Sequence, residues 1–477
     1  MTARQIGLLI GPLAFAITAI VSPPSGMEPQ AWLVAGLVVW MAAWWMTEAV
    51  PLAVTALLPF VWLPLGGVST AREVASTYYA PILFLLLGGA FIALAIERTG
   101  LHRRLSLAIL KAIGSKGGQG RLLLAFMLSA AILSMLISNT STALIMMPMA
   151  LAVLAGGASI KANEDGSINT SGLFGALPMG IAFAASIGGL GTIVGSPTNG
   201  IAVQLLDDMI GLQISFASWM AYGLPVVLVG VPLAAFIISK VQRINAHPFD
   251  VTAAREAIDD AAPWSSAEKR LVPIIAITFL LWMSRRWVAP YLPDGSWTDG
   301  TIAVMAAIAL FLLPDGTGRP LLKWNEADRA PWGVILMFGG GLALAAGMQA
   351  SGLAQWLGNA LLPLEAVPLF IIGLAIVAMV VLVTEFASNV ATASAIIPVV
   401  ASLAAALGLG EDAILIAMPA ALAASWGFIL PAGTGPNAIA WATGRLTIGK
   451  LVRAGIVLDL VGIFLIVGLI WVVAVVG

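Results

Sequence analysis

The sequence is short of charge. Only 9% of its 477 residues are Asp, Glu, Lys or Arg, while 60% are hydrophobic. An ordinary soluble domain carries about 25% charged residues. The 22 Lys and Arg and 23 Asp and Glu cannot cover a water-facing surface for a chain this long. Cysteine is absent, which excludes disulfide scaffolds, thiolate metal sites and thiol nucleophiles. Histidine occurs only at His102 and His247, never at metal-ligand spacing, and both are expected in solvated cytoplasmic loops. A net charge of −1 without a basic block offers nucleic acid no purchase. What is plentiful is apolar sequence, together with 50 glycines, which transmembrane helices tolerate better than soluble ones. The lipid bilayer is therefore the expected surroundings of most of the chain. Residues 1–21 end in Pro23-Pro24 without a small-residue cleavage site, so they are expected to be a first span rather than a removed signal.

A span needs about 20 apolar residues. Candidates fall at 6–21, 30–47, 51–66, 80–97, 122–156, 174–205, 219–241, 270–288, 300–314, 331–348, 364–407, 413–443 and 453–476. The stretches 122–156 and 364–407 are too long for one helix and too close-set for two spans, and each has a polar middle, Ser138-Asn139-Thr140 and Ser388-Asn389-Val390. Re-entrant helical hairpins are expected at both. The stretches 174–205 and 413–443 are interrupted by Gly195-Ser196-Pro197-Thr198-Asn199 and Gly433-Thr434-Gly435-Pro436-Asn437, which marks broken helices. Residues 243–269 form the one sizeable polar stretch, a cytoplasmic linker between a first half at 67–242 and a second at 270–477; residues 1–66 precede both. With the N-terminus cytoplasmic, all but Arg72, Arg285 and Arg286 of the 22 basic residues fall on the cytoplasmic side, as the positive-inside rule requires. The first hairpin, flanked by Arg121 and Lys161, then faces inward. No Lys or Arg occurs between Arg329 and Arg445, so the second hairpin faces outward.

The halves resemble each other at an offset of about 250 residues. FLLLGGAFIALAIERTGL at 84–101 pairs with LMFGGGLALAAGMQASGL at 336–353, and SNTSTALIMMP at 138–148 aligns without a gap on SNVATASAIIP at 388–398. The interruptions GSPTN and GTGPN follow in the same order. Inverted-topology repeats with paired broken helices point to a secondary transporter whose site lies at the bilayer midplane. Each break frees carbonyls and starts a half-helix whose N–H groups carry partial positive charge. The Ser, Asn and Thr there are hard neutral oxygen donors suited to a small cation, while the helix N-termini suit an anion. No Arg or Lys lies near any break in sequence. An anion there would be neutralised by helix dipoles and co-bound cations, unless an Arg folds in from elsewhere.

These motifs, with WWMTEAVPLAVTALLP at 44–59, IGGLGTIVGSPTN at 187–199, PWGVILMFGGGLALA at 331–345, TEFASNVATA at 384–393 and LPAGTGPNAIA at 430–440, resemble the divalent anion/sodium symporter family over nearly the whole chain. That family carries di- and tricarboxylates such as succinate, malate, fumarate and citrate, or sulfate in some members. The resemblance implies an all-α membrane protein of about eleven transmembrane helices plus two re-entrant hairpins, in a homodimer with scaffold and elevator-type transport domains. It also implies at least two sodium sites. Ser134, Ser138, Asn139 and Gly195 would line one; Thr384, Ala387, Asn389 and Gly433 would line the other. Substrate would meet Asn139, Thr140, Ser196, Ser388, Asn389, Val390 and the backbone near Gly435. Two positions depart from the pattern: Val390 stands where many members have Thr, and Gly435 replaces the first Pro of T-P-P-N. A location in the cell inner (plasma) membrane follows.

Glu48 and Glu385 occupy matching Thr-Glu dipeptides and are open to structural or proton-linked roles. An intramembrane enzyme lacks its dyad or metal triad here, and a channel would need a continuous polar ring rather than two tips opening to opposite faces. The expectation is a sodium-coupled carboxylate importer and not an enzyme. The alternatives are a sodium-independent dicarboxylate exchanger and a sodium/sulfate symporter.

Overall fold

A computed structural model describes residues 2–114, 117–157, 170–256, 263–431 and 433–476. Lys116 and Lys161 of the charge map, and linker residues 257–262, lie outside these. The described chain is helical, and ten of its helices are long and apolar enough to span a bilayer. The protein is thus an all-α, multi-pass membrane protein with interrupted helices.

The two long stretches each divide at their polar middle. Gln119–Ser134 turns into Asn139–Gly156, and Leu369–Thr384 turns into Asn389–Ala406. Ser138 and Ser388 cap the second arms with nearly the same backbone angles (φ −62°, ψ 151° and φ −63°, ψ 144°), each hydroxyl accepting an N–H three residues on. Corresponding helices also match in length. Pro81–Thr99 and Trp332–Ala350 have 19 residues each, the first arms 16 and the second arms 18.

The interruptions differ from expectation in one respect: they precede the motifs rather than coincide with them. Leu173–Gly188 gives way to two short 3-10 turns, and Ser196-Pro197 starts the new half-helix Pro197–Ile210. Ile414–Ala423 likewise unwinds before Gly435–Ala442 begins. Proline lacks an N–H and is suited to a helix's first turn, so the Pro of each motif opens a helix instead of ending one. The stretch 51–66 is no single span either. Pro51 and Pro59 start two short helices, Leu52–Thr55 and Leu58–Leu65. His102 is not in a loop but in the helix Leu101–Gly114, half-buried, with Nδ1 3.1 Å from the Ile96 carbonyl oxygen. A capping box, Ser265 with Glu268, starts the helix Ser266–Val288 just before the linker's expected end at 269.

Two apolar cores result. The smaller joins Ala3–Ile20, Pro29–Thr47 and Leu58–Leu65 to Trp332–Ala350, with Phe15 between Trp40 and Trp62 at ring-centroid distances of 5.4 and 4.7 Å. The larger surrounds Leu173–Gly188, which is apolar all round and almost wholly buried. Each half-helix that follows a break packs on the opposite hairpin: Pro197–Ile210 on Asn389–Ala406, and Gly435–Ala442 on Asn139–Gly156. The long helices Phe216–Gln242 and Ile448–Val476 press a glycine against each break. A β-carbon on Gly223 would strike the Leu190 carbonyl, and one on Gly455 would lie 2.6 Å from Ile429 Cα. This reciprocal packing brings both hairpin tips and both breaks to one place.

Glu48 is not within a span. It ends Pro29–Thr47 in the left-handed conformation, φ 46°, with its side chain exposed, and the neighbouring Ala49 carbonyl accepts from Arg4 Nε at 2.9 Å. A non-glycine residue there carries strain of order 1 kcal/mol. Glu48→Gly is expected to leave transport intact and raise stability by up to ~1 kcal/mol. Thermal unfolding in detergent and uptake by vesicles check this, and lost uptake would give the carboxylate a transport role.

Candidate functional site

Four helix N-termini meet at one cavity of about 470 Å³. Its polar lining comes from Ser138–Ser141, Ser196–Thr198, Ser388–Asn389 and Gly433–Gly435, that is, from both tips and both breaks. Asn139, Thr140, Ser196, Ser388, Asn389, Val390 and Gly435 all lie on this wall, as do Ser138 and Gly433. The tips touch the opposite breaks: a β-carbon on Gly435 would collide with Thr140 Oγ1, so a larger residue there would push against the first tip. Ser134, Gly195, Thr384 and Ala387 sit behind the wall and are buried.

Behind the first tip, oxygen atoms converge on the Asn139 amide. Ser134 Oγ lies 2.7 Å from it, and the carbonyls of Gly195 and Ala185 lie 3.1 Å away. Turned nitrogen-first, the amide donates to all three. Turned oxygen-first, it completes a set of four hard oxygens, the donor chemistry of a small cation. The room is made by glycine. A β-carbon on Gly195 would sit 2.6 Å from the Gly189 carbonyl oxygen and 2.8 Å from that of Ser134. Behind the second tip the relation repeats: Thr384 Oγ1 donates to Asn389 Oδ1 at 2.9 Å and to the Ala424 carbonyl at 2.7 Å. The carbonyls of Glu385 and Leu430 lie beside Gly433. Ala387 is buried beside this group, and no side-chain chemistry of its own enters it. The residues of both groups fit a cation held by neutral oxygens.

The breaks are fastened by different chemistry. In the first, Thr192 Oγ1 donates to the Met135 carbonyl at 2.6 Å and accepts from Gly195 N at 3.0 Å. In the second, Leu430 stands in place of Thr192 and Glu385 in place of Met135. The Glu385 carboxylate accepts the N–H groups of Ile429 and Leu430, both at 3.0 Å. Glu385 is therefore a fastener of backbone, which sets it apart from exposed Glu48.

Three contributors were not singled out by sequence reasoning. Asn199 Nδ2 donates to the carbonyls of Gly189 and Thr192 at 2.8 Å each, and Asn437 Nδ2 donates to the Leu430 carbonyl at 3.2 Å. Their signal was present: each is the last residue of a repeated motif. The third is Arg329, which lines the cavity although it is remote in sequence from every break. At roughly 1 kcal/mol per hydrogen bond lost, Asn199→Ala is expected to be more destabilising than Asn437→Ala. Melting temperatures of both variants in detergent check the order.

Interrupted apolar helices whose N-termini and oxygen donors surround a cavity define a membrane transport protein. Comparison with known proteins agrees. The sodium:sulfate symporter transmembrane region matches residues 3–476, and the chain belongs to that family, whose members are transporters and not enzymes. A sodium-dependent dicarboxylate transporter, SdcS, of Staphylococcus saprophyticus is 36% identical over 476 residues, covering 97% of this chain and 90% of that protein. SdcS of Staphylococcus aureus is 36% identical over 473 residues, with coverage of 98% and 90%. Among solved structures, the YdaH transporter of Alcanivorax borkumensis superimposes with a TM-score of 0.56 at 15% identity, covering 99% of this chain and 98% of that one. The MtrF structure of Neisseria gonorrhoeae gives 0.56 at 13% identity, covering 98% and 94%. These two support the fold alone.

Proposed function

We propose that the protein is a secondary active transporter that imports a di- or tricarboxylate with sodium. The observation that carries this is the meeting of four half-helix N-termini with two Asn-centred oxygen groups at one cavity. The N-termini offer N–H groups and partial positive charge to carboxylates. The oxygen groups hold co-transported cations immediately behind the same residues, so Asn139 and Asn389 serve ion and substrate together. Neither ligand is well held alone: the anion has only dipoles and one Arg at the cavity's edge, and the cations have only neutral oxygens. Mutual neutralisation couples them. The sodium-dependent dicarboxylate transport of the SdcS relatives supports the same reading.

The paired helix lengths, the matching caps and the reciprocal packing support two inverted repeats with two re-entrant hairpins. Alternation of the elevator type then carries the tips and breaks across the membrane against the remaining helices. In this reading the protein is a homodimer in the plasma membrane with a cytoplasmic N-terminus, as the distribution of basic residues suggests.

In proteoliposomes a sodium gradient is expected to drive succinate uptake. Asn139→Ala or Asn389→Ala should raise the sodium concentration for half-maximal uptake, the loss of one ligand costing ~1–3 kcal/mol. Wild-type uptake indifferent to sodium would instead indicate an exchanger.

The tips differ at one position: Thr140 carries a hydroxyl, and Val390 carries only methyls of similar shape. Val390→Thr adds a donor without adding volume, worth ~0.5–1.5 kcal/mol, or roughly two- to twelvefold in affinity. The gain is expected for compact dicarboxylates and not for citrate. An unchanged succinate-to-citrate affinity ratio would remove Val390 from the site.

A further inference from the structure

The cavity has two charged groups on its lining among the described residues, Glu97 and Arg329. Both stand apart from the tips and breaks. Glu97 lies near the end of Pro81–Thr99, and Arg329 just before the start of Trp332–Ala350. They are also the more open part of the wall: the Arg329 side chain is 57% exposed and that of Glu97 is 39% exposed.

Neighbouring arginines are committed elsewhere. Arg98 binds Asp315 at 2.5 Å and Arg319 binds Glu326 at 2.5 Å, both beside the cavity mouth. The Arg98 guanidinium holds the Asp315 carboxyl well below the usual carboxylate range, so that pair stays charged and closed to other partners at neutral pH. Arg329 is held loosely by comparison, 3.8 Å from Glu97. Its charge remains available to an anion entering the cavity.

The internal duplication supplies a comparison. Arg329-Ala330-Pro331 aligns with Tyr79-Ala80-Pro81, and Glu97 aligns with Gln349. Pro81–Thr99 and Trp332–Ala350 thus bring their corresponding ends to two different grooves. The groove holding Ala80, Pro81 and Gln349 has no basic residue on its described lining and carries Asp208 instead. The basic group belongs to one mouth and has no counterpart at the other.

We infer that Arg329 is an electrostatic guide for the anionic substrate at this mouth, with Glu97 as its exchangeable counter-charge. The incoming or departing carboxylate displaces Glu97 from Arg329 before reaching, or after leaving, the helix N-termini. This rests on the reading that the cavity takes a small carboxylate. A guide of this kind acts on one face of the membrane only, and its pull is screened by salt.

The test uses the reconstituted protein, with succinate presented from each face of the vesicle in turn. Sodium is fixed while choline chloride sets the ionic strength. Arg329→Gln is expected to raise KM roughly two- to fivefold from one face at low ionic strength, the scale of an exposed charge pair. It should also flatten the salt dependence and leave the sodium half-saturation where it was. Arg329→Lys should restore the wild-type KM, since a point charge suffices. Glu97→Gln, which removes the competitor, should lower KM from the same face and so gives a signal of opposite sign. An unchanged KM in Arg329→Gln, an equal rise from both faces, or failure of Lys to rescue would overturn the inference. Any of these in a protein whose wild type takes up succinate leaves the proposed function standing. Absence of wild-type succinate uptake would overturn that function and this inference with it.

Discussion

Backbone that leaves the helix inside a bilayer must find partners for its N–H and C=O groups, because hydrocarbon offers none. This chain leaves the helix four times near one point, at two tips and two breaks. Most of the local architecture answers the resulting demand. Ser138, Ser388 and Thr434 accept N–H groups at new helix starts, and Asn199 and Asn437 donate to freed carbonyls. Glycines on the long flanking helices let backbone pass against backbone at the breaks. The groups left over point into the cavity or into the oxygen groups behind the tips. Binding chemistry here consists of backbone polarity that the fold has gathered in one place.

The same constraint explains why duplicated segments have diverged as they have. Each break needs one strong tie to the adjacent tip, but either side can supply it. In the first half the break supplies a hydroxyl, Thr192, to tip backbone. In the second the tip supplies a carboxylate, Glu385, to break backbone. The partner position in each case is apolar, Met135 or Leu430. Two polar groups at one junction would leave one of them buried and unmatched, a costly arrangement.

Much of this was legible in the sequence. The tips were located because Ser-Asn recurs at the centre of overlong apolar stretches, and helix capping at Ser138 and Ser388 follows from residue type alone. The breaks were found but placed a few residues late: Pro in GSPTN and GTGPN looks like an interruption, whereas it begins the next helix. Glu48 and Glu385 share a dipeptide, yet one is an exposed left-handed helix end and the other a buried fastener; only the neighbouring chain distinguishes them. His102 was expected in a loop because two Arg follow it, but Leu107 and Leu110 on the same helix are buried. Arg329 was out of reach for a different reason. Its place on the cavity depends on how Trp332–Ala350 crosses Pro81–Thr99, which no local pattern encodes.

The account turns on the oxygen group behind the first tip. The Asn139 amide faces Ser134 Oγ and the carbonyls of Gly195 and Ala185, and it satisfies them by turning its nitrogen toward them or by joining them around a cation. Sodium coupling requires the second arrangement whenever the ion is bound. The most direct measurement is a high-resolution density map of the protein in saturating sodium with succinate, beside one in choline. The account predicts density among Asn139 Oδ1, Ser134 Oγ and the two carbonyls in sodium, and its loss in choline. Carbonyls still bound by the amide nitrogen in saturating sodium, with no density among these atoms, would contradict it.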